Sequence, residues 1–259
     1  MTVAIAKRGK VWLIGAGPGD VELLTLKAVR ALGEADAVLI DELVNREVLR
    51  FVKADAHIIG VGKRGGGRST PQVFIERKML QLACKGLTVA RVKGGDPYVF
   101  GRGGEEVEML CRAGITVEVV SGITAGIAVP AALGIPVTHR EFCRGVTFVT
   151  GNARAGAELD WRALANSGTT LVIYMGIANL AGIVNGLRDA GMSASTPVAV
   201  IQNGTLPAQC SVVSRLDEVA GAVVRAGLAT PALVVVGEVV RFAKIEARGL
   251  VEELSRKHA

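Results

Sequence analysis

The first half of this chain is a series of short apolar runs, most of them closed by glycine or a charged residue and followed by a helical pattern. Strands are predicted at Val11–Gly15, Ala37–Ile40, His57–Val61, Thr88–Val92 and Thr116–Val120. Helical periodicity fills the intervals at Leu23–Leu32, Asn45–Val52, Gln72–Ala83 and Glu105–Ala113. Strict alternation of this kind requires crossover connections, and so a mainly parallel sheet covered by helices. In such sheets ligands gather at the carboxyl ends of the strands. The small-residue stretch Gly122–Arg144 changes character and marks a domain junction, taken at 122/123. Beyond it come strands at Val146–Thr150, Thr170–Tyr174, Val198–Ile201 and Leu233–Val236, some of them separated by helical patterns at Ile177–Asp189 and Leu216–Val224. The expectation is two α/β domains, residues 1–122 and 123–259.

The densest ligand-type segment runs from Arg91 to Glu106. It holds five glycines, three cations and three carboxylates in sixteen residues, directly behind an apolar strand. Glycine packs nothing and costs conformational entropy, so this cluster points to backbone brought close to a ligand. Gly94 and Gly95 would admit main-chain groups, and Asp96 would accept hydrogen bonds from ligand hydroxyls or an amine. Arg102 and Glu105 share a helix face, either as ligand groups or as an ordinary ion pair. A second loop, Gly15-Ala16-Gly17-Pro18-Gly19-Asp20, follows Val11–Ile14. Its spacing breaks the dinucleotide fingerprint and Pro18 removes an amide. It reads as a tight turn, either lining a pocket or purely structural.

Asp41 closes the second strand on the expected ligand edge. It serves there either as a ligand acceptor or as a turn acid before Asn45. Lys63 follows Ile58–Gly62 and, with Arg64 and Arg68, flanks a glycine loop that suits an anionic ligand or simply solvates its charge.

The net charge of +6 is scattered along the chain. It fits nucleic acid, an anionic membrane or a polyanionic small molecule. Aromatic residues make up only 4%, which argues against base-stacking platforms. The uncharged stretch from Val119 to Thr138 contains Pro130 and Pro136 and reads as a buried helix with loops, not a membrane span. The four cysteines form no C-x-x-C motif and the three histidines have no ligand spacing, so no metal is expected. Reduced thiols and a cytoplasmic location are the default.

Gly15–Asp20 with Leu23–Ala28, Gly62–Arg64, Arg91–Glu106, Ser121–Ala125, Gly134–Arg140 and Tyr174–Gly176 together resemble the tetrapyrrole methylases. Within that family, the long glycine run combined with Thr138-His139-Arg140 is similar to the branch that methylates uroporphyrinogen III. The resemblance spans about Lys10 to Phe242. It implies two α/β domains, with S-adenosyl-L-methionine bound in the interdomain cleft, and a homodimer that takes a small-molecule substrate and no nucleic acid or membrane. It implies methyl transfer to C2 and C7 of uroporphyrinogen III, giving precorrin-2, a precursor of sirohaem, cobalamin and haem d1. By matching positions, Asp41 is the proton acceptor and Lys63 the proton donor. Arg102, Glu105 and Arg140 handle the substrate, with Arg102 and Glu105 also counted as catalytic. Pro18, Gly94, Gly95, Asp96, Val99, Thr124, Ala125, Met175, Gly204 and Ala232 hold the cofactor. Asn152 stands where the family often has histidine, and Ile40 where it often has tyrosine. The alternatives are a related methylase acting on a later corrin intermediate and an NAD-binding oxidoreductase.

Overall fold

Five β-strands whose side chains are apolar on both faces need a helical layer on each side. The computed structural model, which describes residues 8–62, 70–152 and 159–243, builds this in the first half of the chain. Strands β1 (Lys10–Gly15), β2 (Ala37–Asp41), β3 (His57–Val61), β4 (Val89–Lys93) and β5 (Thr116–Val120) form one sheet in the order β3-β2-β4-β1-β5. Every pairing in it is parallel. Helix α1 (Leu26–Glu34) covers one face, and α2 (Gln72–Cys84) and α3 (Gly103–Arg112) cover the other. Side-chain alternation sorts the core accordingly. Trp12, Ile14, Val38, Ile40, Ala90 and Val92 pack with Ala28, Ala31 and Leu32 of α1. Val11, Ala37, Leu39 and Val89 pack with Ile75 and Met79 of α2 and Leu110 of α3.

Helix α1 begins three residues later than the periodicity predicts. Thr25 is its N-cap and accepts a hydrogen bond from the Ala28 amide at 3.1 Å, so Val21–Leu23 is left as a single 3-10 turn. The predicted helix at Asn45–Val52 is likewise a 3-10 segment, Arg46–Phe51, capped by Asn45. Here local side-chain capping overrides apolar spacing.

The chain divides into two compact units, Met1–Ala125 and Gly126–Ala259. Helix α4 (Ala125–Ala132) spans the division. The second unit holds β6 (Val146–Thr150), α5 (Trp161–Ala165), β7 (Thr170–Tyr174), α6 (Leu180–Asp189), β8 (Pro197–Gln202), β9 (Cys210–Arg215), α7 (Val219–Arg225) and β10 (Ala232–Val236). Its sheet has the order β6-β7-β10-β8-β9. Only β6–β7 pairs in parallel; the other three pairings are antiparallel. Sequence reading missed β9 and α5. Strand β9 is a half-exposed edge strand carrying Cys210, Ser211, Ser214 and Arg215, so it lacks the apolar run that marks a central strand. Helix α5 is too short to show a period. Among the described residues, no helix is long and apolar enough to cross a membrane.

The first sheet closes tightly at its carboxyl edge. The chains leaving β1, β4 and β5 touch backbone to backbone. Gly17 and Gly95 form an isolated antiparallel bridge, with N–H···O distances of 2.7 and 3.2 Å. A Cβ at Gly122 would lie 2.2 Å from the Gly95 carbonyl oxygen, and one at Gly15 would lie 2.5 Å from the Gly122 nitrogen. Both positions therefore need glycine for packing alone. We expect Gly122→Ala to destabilise the fold by about 1–3 kcal/mol, the usual cost of overpacking against atoms that cannot move. Urea unfolding followed by circular dichroism checks this; an unchanged midpoint would contradict the close approach.

Candidate active site

Because the first sheet is parallel throughout, the ends of β1, β2, β4 and β5 deliver their loops to one edge. On the face that carries α2 and α3, the strands change character as they reach it. Val11, Ala37, Leu39 and Val89 are fully buried and apolar. One strand repeat later the same face presents Asp41 on β2 and Arg91 and Lys93 on β4. Arg91 and Lys93 are 2% and 5% exposed, and Glu106, from the first turn of α3, is 0% exposed.

These four side chains form one ion cluster. The Arg91 guanidinium lies 2.6 Å from Asp41 Oδ1 and 3.2 Å from Glu106 Oε1. The Lys93 ammonium lies 3.7 Å from Asp41 Oδ2 and 3.4 Å from Glu106 Oε1. Gln72 of α2 donates to the same Glu106 oxygen at 3.0 Å. Two cations thus face two carboxylates. Burial, and then the neighbouring Arg91 charge, hold the Lys93 ammonium below its ordinary value, while Glu106 and Asp41 oppose that shift. Asp41 is the most open of the four, so the cluster runs from the interior to a single carboxylate at the sheet edge.

Sequence reading had singled out Asp41 and missed Arg91, Lys93 and Glu106. A signal for them existed. Arg91 and Lys93 continue the inward face begun by Val89, and Glu106 falls between Gly103 and Leu110 on the buried stripe of α3. Glu105, the neighbouring site candidate, points outward. It pairs with Arg102, whose Nε lies 3.1 Å from Oε1, and the two side chains are each 49% exposed. Arg102 precedes α3 with φ 58°, and Phe100 has φ 52°, so this loop holds two non-glycine residues in the left-handed region. Lys63 lies outside the described residues. Thr70 accepts from the Gly62 amide at 3.1 Å and donates to its carbonyl at 3.0 Å.

The glycine run after β4 combines one open and one confined position. Gly94 is exposed, and an added Cβ there would meet nothing within 4 Å. Gly95 has φ 64° and rests against Thr124 and Ala125. Asp96 does not simply await a ligand. Its Oδ1 accepts from the Tyr98 amide at 2.8 Å and its Oδ2 from the Gly122 amide at 3.2 Å. It therefore shapes the loop and joins it to the end of β5, with lone pairs left over. Pro18 and Val99 are half-buried in the same group of loops, and Thr124 is buried.

In the second unit, Met175, Gly204 and Ala232 share one edge of the sheet. Met175 follows β7 with φ 55° and is half exposed. Ala232 opens β10 opposite Gln202, and the next residue, Leu233, pairs with Tyr174. Gly204 is buried between Asn203 and Thr205, both at positive φ, and a Cβ there would lie 2.4 Å from the Val129 side chain. Its glycine is required for packing within the unit. Arg140 is exposed on a loop pinned by the His139–Cys143 bridge, where His139 stacks on Phe242 at 4.9 Å.

A family model described as Tetrapyrrole (Corrin/Porphyrin) Methylases matches residues 10–220. The chain belongs to that family. This tetrapyrrole methylase is 55% identical over 233 residues to the uroporphyrinogen-III C-methyltransferase of Pseudomonas aeruginosa, covering 90% of the chain and 95% of that protein. It is 50% identical to the siroheme synthase of Sodalis glossinidius over 236 residues, 90% of the chain but 49% of that longer protein. Its fold superimposes on the crystal structure of uroporphyrin-III C-methyl transferase from Thermus thermophilus complexed with S-adenyl homocysteine. The TM-score is 0.78 at 42% identity, covering 92% of this chain and 97% of that one.

The two kinds of ion pair in this methylase should separate cleanly on mutation. We expect Arg91→Met to cost about 3–5 kcal/mol, because it strands Glu106 without its guanidinium in the interior. Arg102→Leu should cost less than about 1 kcal/mol, since its pair is half exposed and screened. Parallel chemical denaturation of both variants checks the contrast, and equal losses would contradict it.

Proposed function

We propose that this tetrapyrrole methylase is an S-adenosyl-L-methionine-dependent uroporphyrinogen-III C-methyltransferase that methylates C2 and C7 to give precorrin-2. The 55% identity to a protein of that name, across 90% of the chain, carries the reading. The residues at the strand ends fit the group. Gly94 offers backbone with open space where a Cβ would stand, and the Gly95–Thr124–Ala125 contact supplies main-chain groups beside it. By matching positions in the family, the cofactor residues are Pro18, Gly94, Gly95, Asp96, Val99, Thr124 and Ala125, together with Met175, Gly204 and Ala232. When bound, the cofactor supplies an electrophilic methyl group.

The chain's own residues do the rest. A pyrrole carbon of a reduced tetrapyrrole is already a good nucleophile, so alignment and charge neutralisation carry most of the work. Arg102 and Arg140 neutralise substrate carboxylates, which suits the exposure of both side chains. Glu105 holds pyrrole N–H groups once the substrate competes for Arg102. Asp41 accepts the proton lost after methyl transfer, and Lys63 returns one. The enzyme works as a cytoplasmic homodimer, on a small molecule and on neither nucleic acid nor membrane.

Mass spectrometry of a reaction with uroporphyrinogen III and S-adenosylmethionine tests the reading; the expected result is a gain of two methyl groups. No gain, or methylation only of a later corrin intermediate, would overturn it. Calorimetry should show adenosylhomocysteine bound in the micromolar range and NAD unbound. Asp96→Ala should weaken adenosylhomocysteine by about tenfold or more, because two backbone amides lose their acceptor and the loop loosens. Arg102→Leu and Arg140→Leu should abolish methylation with cofactor affinity nearly intact; full turnover in both would remove them from the site.

A further inference from the structure

Burying four charged groups where an apolar strand and helix would pack as well is a poor route to stability. Hydrophobic replacements of such clusters are often neutral or stabilising. The same sheet face is apolar everywhere below Arg91, so the fold had an apolar solution available. The cluster also has a direction. Glu106 is fully buried, Arg91 and Lys93 are nearly so, and Asp41 alone is substantially open. Glu106 Oε1 receives three donors, from Arg91, Lys93 and Gln72, while its Oε2 is buried with no hydrogen-bond partner. A carboxylate that leaves one oxygen unsatisfied in the interior is held there by its charge partners and not by its own solvation.

We propose that Glu106 is a positioning residue for the methylation reaction: buried behind Asp41, it holds Arg91 and Lys93 against the Asp41 carboxylate and so sets that carboxylate's orientation and charge. Resting on the reading of Asp41 as proton acceptor, this explains a requirement that reading leaves open. A carboxylate facing two buried cations alone would be held in its charged form and would accept a proton poorly. Glu106 shares both cations through one oxygen and leaves Asp41 in a neutral set of charges. Among the described residues, the charged groups around Asp41 are Arg91 and Lys93 on β4 and Glu106 on α3. Its chain neighbour Glu42 is exposed and lies over Gly62, and Arg46 lies over Gly60 on β3.

The sign of the effect separates this role from simple packing. Glu106→Gln leaves two cations on one carboxylate; Lys93→Met leaves one cation between two. A carbon-13 NMR titration of the Asp41 carboxyl, in full-length protein without substrate, should move to lower pH in Glu106→Gln and to higher pH in Lys93→Met. The acid limb of the pH–rate profile should follow in the same two directions. For Glu106→Gln, kcat should fall by about tenfold to a hundredfold, with KM and adenosylhomocysteine affinity within about twofold. Titrations that stay put or move together would overturn the proposal. So would a moved titration with unchanged kcat and pH profile, or failure of both variants to fold, which would assign the cluster to folding alone. If the wild-type protein does not methylate uroporphyrinogen III, the functional reading fails instead, and the NMR titrations still decide whether Glu106 governs Asp41.

Discussion

The contact of Arg91 with both Asp41 and Glu106 joins three elements of the first unit. One guanidinium reaches the end of β2 and the first turn of α3 from the middle of β4. Gln72 brings in α2 through the same carboxylate. Arginine suits this position because its rigid fork presents several donors at once and keeps its charge when buried. The placement of Glu106 is helped further by the helix, since a carboxylate in the first turn faces the positive end of the α3 dipole. The cluster thus registers two strands and two helices against one another at the edge where the loops emerge.

A second constraint acts beside it and rests mainly on backbone contacts. Gly15, Gly95 and Gly122 bring three strand ends to within a peptide's thickness of each other, and the Gly17–Gly95 bridge extends that contact into the loops. Asp96 completes the closure by accepting from the Gly122 amide. Such close packing suits methyl transfer, because alignment contributes much of the rate when the nucleophile is already reactive. Gly94, alone in this group, faces open space. Glycines adjacent in sequence therefore differ: one admits backbone neighbours, the other faces open space.

Much of this was legible in the order of residues. Apolar runs of five or so residues, spaced by helical patterns, dictate strands, crossovers and a parallel first sheet, because only a crossover connects parallel neighbours. Four of the nine predicted strands begin and end where the structure has them, and the other five differ by a single residue at one or both ends. The family could be read from motifs alone, since the glycine run and Thr138-His139-Arg140 occur together. The edge strand β9 and the short helix α5 escaped, because a half-exposed edge and a five-residue helix carry no strong period.

What sequence could not decide was which charged residue faces inward. Glu105 and Glu106 are adjacent and chemically equivalent; a rotation of about 100° per residue around α3 makes one an exposed partner of Arg102 and the other the buried centre of an ion cluster. Likewise Arg91 and Lys93 read only as the start of the ligand-type segment Arg91–Glu106 until the β4 register places them on the inner face behind Val89. The residue order by itself determined the family and most of the strands and longer helices, because these depend on local period and turn chemistry. Only the tertiary structure decided which charges are buried together, because that depends on how strands and helices from distant parts of the chain are rotated and registered against one another.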